Sequence, residues 1–367
     1  MRILHVIEAV GGGLSLHVGI VAEMQQRSGH EVAVALPDRR AWGLSDPQLI
    51  PALRRSGVTV YRIPFHTLPL HGRNALAARE LARHAREWSP DLIHSHSMTA
   101  GFIARPVARR LGIPSVHTPN GVRFADQRRG LPWIGEWAIE RLLAPITGKV
   151  VAVSPSEAQV LGRMYPPERI AVVSNAIPVP DEVPAMPARP RVVAVNRLVY
   201  QKDPATTVRT MALARRRRPN LEAIIVGDGV LEKKISSLVR ELDPGINLAG
   251  TTMEGRSAIA GSSMLLLTSR WEGAPFVLLE AMGFARPIIA SDVVGTKDVV
   301  EHDVTGYLFP GGDAHAAADY LVQLVDDPSK ASDMGAAGRH RLQVCFSPDR
   351  LIDDLDEAYR AVRRESG

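Results

Sequence analysis

Short apolar runs alternate with longer amphipathic stretches along almost the whole chain, and this alternation limits the folds that it can adopt. Runs such as residues 3–7 and 31–36 have the length of strands, whereas residues 76–88 and 100–111 have a helical period. Strands and helices in alternation form βαβ units, which build parallel sheets that bind ligands beyond the carboxyl ends of their strands. The sequence therefore predicts an α/β protein whose functional residues follow its strands.

A proline-rich segment interrupts this alternation near the middle of the chain. Five prolines fall within residues 177–190, which excludes a helix or a central strand there. We therefore predict a first domain over residues 1–176, a linker over 177–190 and a second domain over 191–345. A C-terminal helix over 346–367 follows, and its return to the first domain is left open. The predicted strands are residues 3–7, 31–36, 58–63, 91–94, 115–117 and 150–153, then 191–195, 221–226, 246–248, 264–268, 287–290 and 306–309.

The composition excludes several classes of protein. No apolar run reaches the roughly 18–20 residues that a transmembrane helix needs, and the first ten residues resemble a strand more than a signal peptide. Cys345 is the one cysteine, which excludes an intrachain disulfide and a cluster of thiolate ligands. These features favour a cytoplasmic location.

Positive charge is concentrated in the first half of the chain. Residues 1–180 carry 21 Lys and Arg against 13 Asp and Glu, whereas the remainder carries 23 against 26. This asymmetry favours an anionic partner for the first half, such as a membrane surface, although a generally arginine-rich composition would explain it too. We do not predict nucleic-acid binding, because no recognisable motif of basic and aromatic residues accompanies the charge.

Two glutamates eight positions apart frame a turn and the start of a predicted helix. Glu272 and Glu280 follow the predicted strand 264–268, and Pro275 between them suits the first position of a helix. Backbone N–H groups at a helix start can bind an anion, and the carboxylates can hold hydroxyl groups on either side of it. The N–H groups expected to do so belong to Gly273, Ala274 and Phe276.

Two cations occupy the loop after the first strand of the second half. Arg197 and Lys202 are separated by four residues, and the helix that follows is predicted to begin with Asp203 as its cap and Pro204 as its first residue. Two fixed cations can neutralise a leaving diphosphate as a metal ion would. A solvated basic loop with no ligand is the alternative for this segment taken alone.

The segment 269–309 closely resembles the retaining family 4 glycosyltransferases of the GT-B fold. The resemblance lies in the Glu-x7-Glu spacing, in Glu280-Ala281-Met282-Gly283 and in Gly306-Tyr307-Leu308-Phe309. It implies two Rossmann-like domains with parallel sheets that face each other across a cleft. It also implies that Glu272 lies by the donor sugar, that Glu280 holds the ribose, and that Arg197 and Lys202 contact the diphosphate.

The glycine run after the first strand also fits this family. A dinucleotide-binding fingerprint would need glycine or alanine at position 16, where this chain has Leu16. The family carries a glycine pair at this point, which lets the backbone approach the donor phosphate and the acceptor. Gly12 and Gly13 match that pair. A second glycine turn around Asp228 is interpreted as structural.

Histidines and an asparagine end two strands of the first half. His96 is expected to face the cleft and His94 the core, and His117 ends the next strand. The bacterial capsule and exopolysaccharide branch of the family often reads Thr-Pro-His-Gly after this strand, but here Asn120 replaces the histidine. The candidate catalytic residues are therefore Glu272, His96, His117 and Asn120. The Asn120 side chain can donate a hydrogen bond, but it cannot take a proton.

Basic and aromatic residues follow this loop. They suit a membrane interface, and a buried helix explains the tryptophans nearly as well. The residues are Arg123, Arg128, Arg129, Trp133 and Trp137.

The resemblance implies transfer of a hexose-type sugar from a nucleotide diphosphate, UDP before GDP, to a carbohydrate or lipid-linked acceptor, with retention of configuration. It implies no cofactor, and the cation pair makes a metal ion unnecessary. A sugar-nucleotide epimerase of the same fold and a non-catalytic protein that binds nucleotide sugars remain alternatives.

Overall fold

The chain folds into two compact units, each built around one parallel sheet. The computed structural model describes residues 1–37, 46–66, 68–126, 130–251 and 254–366. Residues 1–175 with 348–367 form the first unit, and residues 176–347 form the second. The prediction of two Rossmann-like domains with parallel sheets is confirmed. Within the described ranges, no helix is long and apolar enough to cross a membrane.

The first unit has a seven-stranded sheet with strand order β3-β2-β1-β4-β5-β6-β7. All six predicted strands are present, and the structure adds β7, which is too short and too exposed to show in the sequence pattern. The C-terminal helix α14 belongs to this unit. Its elements are β1 (Arg2–Ile7), α1 (Gly12–Arg27), β2 (Glu31–Leu36), α2 (Leu49–Arg55), β3 (Thr59–Arg62), α3 (Arg73–Trp88), β4 (Leu92–His96), α4 (Met98–Leu111), β5 (Ser115–Thr118), α5 (Leu131–Leu143), β6 (Lys149–Ala152), α6 (Pro155–Leu161), β7 (Ile170–Val172) and α14 (Pro348–Ser366).

The second unit has a six-stranded sheet with strand order β10-β9-β8-β11-β12-β13. Each of its strands lies within two residues of a predicted one. The core on one face of this sheet joins β8, β9 and β11 to helices α7, α8 and α12. Its elements are β8 (Arg191–Val195), α7 (Pro204–Arg217), β9 (Glu222–Val226), α8 (Glu232–Leu242), β10 (Asn247–Gly250), α9 (Gly255–Ala260), β11 (Met264–Leu267), α10 (Phe276–Gly283), β12 (Ile288–Ser291), α11 (Thr296–Val299), β13 (Gly306–Phe309), α12 (Ala314–Asp326) and α13 (Pro328–Cys345).

The proline-rich segment has no helix or strand, and it is fastened to the second unit. The buried Arg286 donates from Nη2 to the carbonyl oxygens of Pro184 and Ala260, at 2.6 Å each. Arg339 donates to the carbonyl oxygen of Pro180 at 2.7 Å. These contacts satisfy carbonyl groups that a segment without secondary structure would otherwise leave to water.

A buried network of polar side chains joins α14 to the first sheet. Tyr359 on α14 hydrogen-bonds His94 at 2.7 Å and accepts from Gln25 at 3.2 Å. Because an amide oxygen can only accept, His5 donates from Nε2 to Gln25 at 2.7 Å, and its Nδ1 lies 2.9 Å from Nε2 of His96. All five side chains are fully buried. The returning helix is therefore recognised by hydrogen bonds as well as by apolar packing.

Burial keeps the histidines of this network neutral. It lowers the pKa of His5 to about 4 and holds the pKa values of His94 and His96 well below 6.5. Nitrogen atoms of these three residues lie within 4.8 Å of one another, as metal ligands do. Both nitrogens of His5 and of His94 already take part in hydrogen bonds, so we assign the cluster to the fold.

We expect acid to destabilise the first unit. The folded pKa values are depressed, so below about pH 6.5 the unfolded chain takes up protons that the folded unit does not. The free energy of unfolding should fall by about 1.4 kcal/mol per pH unit for each such histidine as the pH drops from 6.5 toward 4. Urea titrations at pH 7.5, 6.5 and 5.5 measure this. His5→Asn should reduce the dependence and the exposed control His315→Asn should preserve it; equal stability at all three pH values would contradict the prediction.

Candidate active site

The loop between β11 and α10 carries Glu272, and the loop after β12 holds it in place. The backbone N–H of Glu272 donates to the carbonyl oxygen of Val294 at 3.0 Å. Gly295 has φ +88°, and a Cβ added there would lie 2.2 Å from the carbonyl oxygen of Gly273. Any residue other than glycine at position 295 would push the turn at Gly273 out of place. Gly295 was not predicted to support the site, although a glycine soon after a strand end is a sequence signal for such a close approach.

The carboxylate of Glu272 is buried and paired. It forms an ion pair with Lys202, and Ser269 donates its hydroxyl to Oε1 at 2.5 Å. Only 5% of Glu272 is exposed. Two residues expected to contact different parts of a donor therefore contact each other in the free protein.

The pairing leaves Arg197 as the exposed cation of its loop. Within the described part of the chain, no hydrogen bond or ion pair involves its guanidinium, and Arg197 is exposed. The backbone beneath it is fixed, because the N–H of Leu198 donates to the carbonyl oxygen of Asp228 at 2.6 Å. A Cβ at Gly227 would lie 2.0 Å from the carbonyl oxygen of Asn196. The glycine turn around Asp228 therefore has the structural role expected of it, as the support of the cation loop.

The cation loop and the Glu272 loop are joined along their length. Thr268 donates to the carbonyl oxygens of Lys202 and Asp203 at 3.1 Å each. Arg270 donates its backbone N–H to the carbonyl oxygen of Gln201 at 2.8 Å, and the Gln201 side chain donates to the carbonyl oxygen of Trp271 at 3.1 Å. The two motifs therefore form one rigid assembly at the carboxyl ends of the adjacent strands β8 and β11.

Two helix starts differ in detail from the predictions. Asp203 precedes α7, but its backbone is left-handed at φ 45° and its side chain caps no N–H. The carboxylate instead pairs with Arg270 at 2.9 Å and accepts from the Thr206 hydroxyl at 2.9 Å. Pro275 is the residue before α10, which begins at Phe276, one position later than predicted.

Glu280 lies on α10, one turn after Phe276 and on the same face of the helix. Burial raises the pKa of its carboxyl group to about 7; nearby Arg256 opposes this shift and Glu254 adds to it. Gly273 and Ala274 are buried, and Phe276 is half-buried. The second unit thus brings all seven of its predicted site residues to one edge of its sheet.

In the first unit, the two glycines predicted after β1 open helix α1, and the asparagine predicted after β5 lies in a loop. Gly12 begins α1 with φ 69°, a conformation that favours glycine, and Gly13 follows it. Asn120 has φ 58°, and its amide donates to the carbonyl oxygen of Thr118 at 3.2 Å. Asparagine is among the few residues with a side chain that tolerate this left-handed region. Asn120 is half-buried at the carboxyl edge of the sheet.

The structure does not place His96 as predicted. Residues two apart on a strand face the same side, so His94 and His96 both face α1 and α14, with ring centroids 4.0 Å apart. The expectation that His94 alone points into the core is wrong, because His96 is equally buried. His96 is a member of the network that includes His5, at the end of the strand next to β5.

His117 lies on the opposite face of the same sheet. Its Nδ1 lies 3.0 Å from the hydroxyl of Ser95, and its Nε2 lies 3.9 Å from Glu140. Arg105 forms a buried ion pair with Glu140 at 2.8 Å. Burial and the Arg105 charge lower the pKa of His117 to about 3. His117 is therefore part of the packing between the sheet, α4 and α5, and not of the edge that carries Asn120.

Sequence reasoning also missed a carboxyl group at that edge. Glu8 follows β1, and the hydroxyl of Ser97, the residue after β4, donates to it. Burial raises the pKa of Glu8. Part of the sequence signal was available, because Glu8 directly follows a predicted strand and Ser97 comes three residues after another.

Two families match this sequence in succession. "Glycosyltransferase Family 4" matches residues 11–180, and "Glycosyl transferases group 1" matches residues 181–341. The two matches together span most of both units.

Individual relatives extend the similarity. Alpha-maltose-1-phosphate synthase of Mycolicibacterium smegmatis is 28% identical, over 74% of this chain and 79% of its own length. A UDP-Gal:alpha-D-GlcNAc-diphosphoundecaprenol alpha-1,3-galactosyltransferase of Escherichia coli is 24% identical, over 73% of this chain and 75% of its own.

The fold is shared with solved structures. HepE of Anabaena, crystallised in complex with UDP-glucose, superposes with a TM-score of 0.80 at 18% identity, over 97% of this chain and 98% of that one. With matching families along both halves and this fold, the chain belongs to the family 4 glycosyltransferases and has the GT-B fold.

Proposed function

We propose that this chain transfers a hexose-type sugar from a UDP-sugar to a carbohydrate or lipid-linked acceptor, with retention of the anomeric configuration and without a cofactor or metal ion. The observation that carries the proposal is the joined assembly of the cation loop and the Glu272 loop beside α10. It presents an exposed cation, a buried carboxylate and a second carboxylate with a raised pKa at one sheet edge. Diphosphate, sugar hydroxyls and ribose hydroxyls are the groups that these side chains suit.

The choice of UDP and of the acceptor class is supported by the names of similar proteins. The Escherichia coli relative is named for a UDP-galactose donor and a diphosphoundecaprenol-linked acceptor. HepE was crystallised with UDP-glucose and with UDP. Uridine is therefore our first choice of base, and a saccharide carried on a lipid is our first choice of acceptor.

In the proposed complex, Arg197 provides most of the charge that the diphosphate needs. Lys202 is already paired with Glu272. We therefore expect Lys202 to donate a hydrogen bond to the diphosphate while its ion pair with Glu272 stays intact. Glu272 would accept hydrogen bonds from hydroxyl groups of the transferred sugar, and Glu280 would accept hydrogen bonds from the ribose hydroxyl groups. Gly12 and Gly13 would let the backbone approach the donor, and Asn120 would donate to a hydroxyl of sugar or acceptor.

In the proposed reaction, one bond at the anomeric carbon breaks and another forms in its place. The bond to the β-phosphate oxygen breaks, and the acceptor oxygen forms its bond on the same face of the sugar. The acceptor's proton passes to the leaving phosphate oxygen, so no protein side chain has to take it. Arg197 stabilises the charge that develops on the diphosphate, in a site already ordered before the ligand binds.

We also propose that the first half contacts an anionic membrane surface. Its charge supports this, and so does α5, where the rings of Trp133 and Trp137 are stacked with centroids 6.5 Å apart. Arg123 adds nothing to the attraction, because it is paired with Glu136 at 2.9 Å. Arg128 and Arg129 lie outside the described residues.

We expect UDP to stabilise the protein in the presence of chelator. A ligand at a hundred times its dissociation constant adds about 2.7 kcal/mol of stability, so the melting temperature should rise by several degrees with UDP, less with GDP and not with NAD. Transfer from UDP-glucose, UDP-galactose or UDP-N-acetylglucosamine should continue in EDTA. Activity that disappears in EDTA and returns with manganese would contradict the metal-independent proposal. An epimerised sugar nucleotide formed without acceptor, seen by NMR, would favour the epimerase instead.

Lys202 and Arg197 should differ in their effect on the free protein. Lys202→Met leaves the buried Glu272 carboxylate without its cation, which should cost about 3 kcal/mol of stability; the double variant with Glu272→Gln should recover most of it. Arg197→Ala removes an exposed cation and should leave the melting temperature unchanged. Both single variants should weaken UDP binding by at least about tenfold, since charge-assisted hydrogen bonds are worth about 1.5–3 kcal/mol. Calorimetry with UDP and thermal melts measure both effects. An unchanged dissociation constant for Arg197→Ala would contradict its role.

Glu280 should make nucleotide affinity depend on pH near neutrality. Its carboxylate accepts both ribose hydroxyls only when ionised, and its pKa is raised to about 7, so affinity for UDP should rise from pH 6 to pH 8. The phosphate of UDP also titrates near pH 6, so the comparison is the ratio of wild-type to Glu280→Gln dissociation constants at each pH. That ratio should favour the wild type increasingly as the pH rises. A ratio that is constant across the range would refute the ribose assignment.

A further inference from the structure

The loop that carries Arg197 and Lys202 also carries an aromatic ring that the proposed complex leaves unused. Tyr200 lies between the two cations and begins a single turn of 3₁₀ helix, Tyr200–Lys202, which leads into α7. It is 45% exposed. No other tyrosine, phenylalanine or tryptophan among the described residues of the second unit is exposed. An exposed apolar residue is ordinary by itself, so its surroundings decide whether it has a role.

The ring of Tyr200 is held in one orientation by its neighbours. The guanidinium of Arg270 lies over one face of the ring, with Cζ 4.6 Å from the ring centroid. Arg270 is fixed in turn, because it pairs with Asp203 at 2.9 Å and donates from Nε to the carbonyl oxygen of Tyr200 at 3.2 Å. The buried ring of Trp271 packs nearby, with centroids 6.0 Å apart. One face of the Tyr200 ring is therefore covered, and the exposed area belongs to its other face and its edge.

This fixed ring adjoins the side chains that we expect to bind the donor. Lys202 follows Tyr200 by two positions and pairs with Glu272. Trp271, which packs near the ring, immediately precedes Glu272. Gln201 joins the two loops at this point, since its side chain donates to the carbonyl oxygen of Trp271 at 3.1 Å. The contacts that place the Glu272 carboxylate thus also place the ring, and a group bound by Glu272 is expected beside Tyr200.

The chemistry of the two side chains indicates which part of the donor they bind together. A pyranose ring carries hydroxyl groups around its rim and C–H groups on its faces. The C–H groups pack on an aromatic ring by dispersion and meet its negative π face favourably, whereas a phosphate group is repelled by that face. A carboxylate accepts hydrogen bonds from the rim. Glu272 and Tyr200 therefore suit the rim and one face of the same sugar ring.

We infer that Tyr200 is the platform on which the transferred sugar stacks, and that this sugar is a neutral pyranose with one face of C–H groups turned to the ring. The inference rests on the proposed function, because it uses the assignment of Glu272 to the donor sugar. The ring is ordered before the ligand binds, so little conformational entropy is lost when a sugar packs on it. Tyr200 should therefore add to the affinity for a UDP-sugar and add nothing to the affinity for UDP.

The experiment compares ligands that differ only in the sugar. Calorimetry in EDTA measures the dissociation constants of UDP, UDP-glucose and UDP-galactose for the wild type and for variants of Tyr200. For whichever UDP-sugar the wild type binds more tightly, Tyr200→Ala should weaken binding by about five- to tenfold, the size of an aromatic stacking contact. The same substitution should leave the constant for UDP within about twofold of the wild type.

Two controls separate the ring from its hydroxyl group and from apolar exposure in general. Tyr200→Phe keeps the ring and removes a hydroxyl that makes no hydrogen bond among the described residues, so all three constants should stay within about twofold. Val230 is 75% exposed in the loop after β9, and Val230→Ser should also change them by less than about twofold. Tyr200→Leu is measured beside Tyr200→Ala, because leucine keeps an apolar side chain against Arg270 and offers no aromatic face. Melting temperatures identify any variant that does not fold.

The outcomes distinguish this inference from the proposed function. If Tyr200→Ala and Tyr200→Leu weaken UDP as much as the UDP-sugar, the ring contacts the nucleotide or only shapes the loop, and the inference is wrong. Unchanged constants for every ligand in both variants would also overturn it, while the donor proposal would stand. A wild-type protein that binds none of the three ligands would refute the donor proposal and the inference with it.

Discussion

The ion pair between Lys202 and Glu272 is the contact on which the candidate donor site depends. It joins residues 70 positions apart in the sequence, on loops that follow two neighbouring strands. Both side chains are largely buried, so neither loop can move away without leaving a charge in a poorly solvated place. The backbone hydrogen bonds between the loops add to this constraint. The arrangement of carboxylate and cation therefore exists before any ligand binds, and little of the binding energy has to be used to create it.

Glycines that contact no ligand set the position of this pair. Gly295 lies against Gly273, and Gly227 lies against Asn196, so closely that a methyl group would overlap a carbonyl oxygen in either place. The loops after β9 and β12 thereby fix the backbone positions of the loops after β8 and β11. Substitutions there would alter the site through the backbone alone.

The second unit was more predictable from sequence than the first, and locality explains the difference. Arg197, Lys202, Glu272 and Glu280 lie within short motifs, and each motif follows a strand that the apolar pattern already marks. The buried network that contains His96 depends instead on Tyr359, which hydrogen-bonds His94 from 265 positions later in the chain and reaches the sheet only because α14 returns to the first unit. No local pattern shows that return. The alternation of a strand did show that His94 and His96 share a face, and that signal was misinterpreted.

At the candidate donor site, the free protein keeps charged groups that a bound ligand would stabilise. Burial of Glu280 raises its pKa to about 7, so ionising it at neutral pH costs free energy that a solvated glutamate does not pay. Hydroxyl donors would lower that cost, and a phosphate would not. Arg197 favours the opposite kind of group, because an exposed cation without an acidic partner attracts an anion. A single ligand that satisfies both residues must carry hydroxyl groups as well as phosphate. A sugar joined to a nucleoside diphosphate is such a molecule, because its ribose supplies the hydroxyl groups whichever sugar is attached.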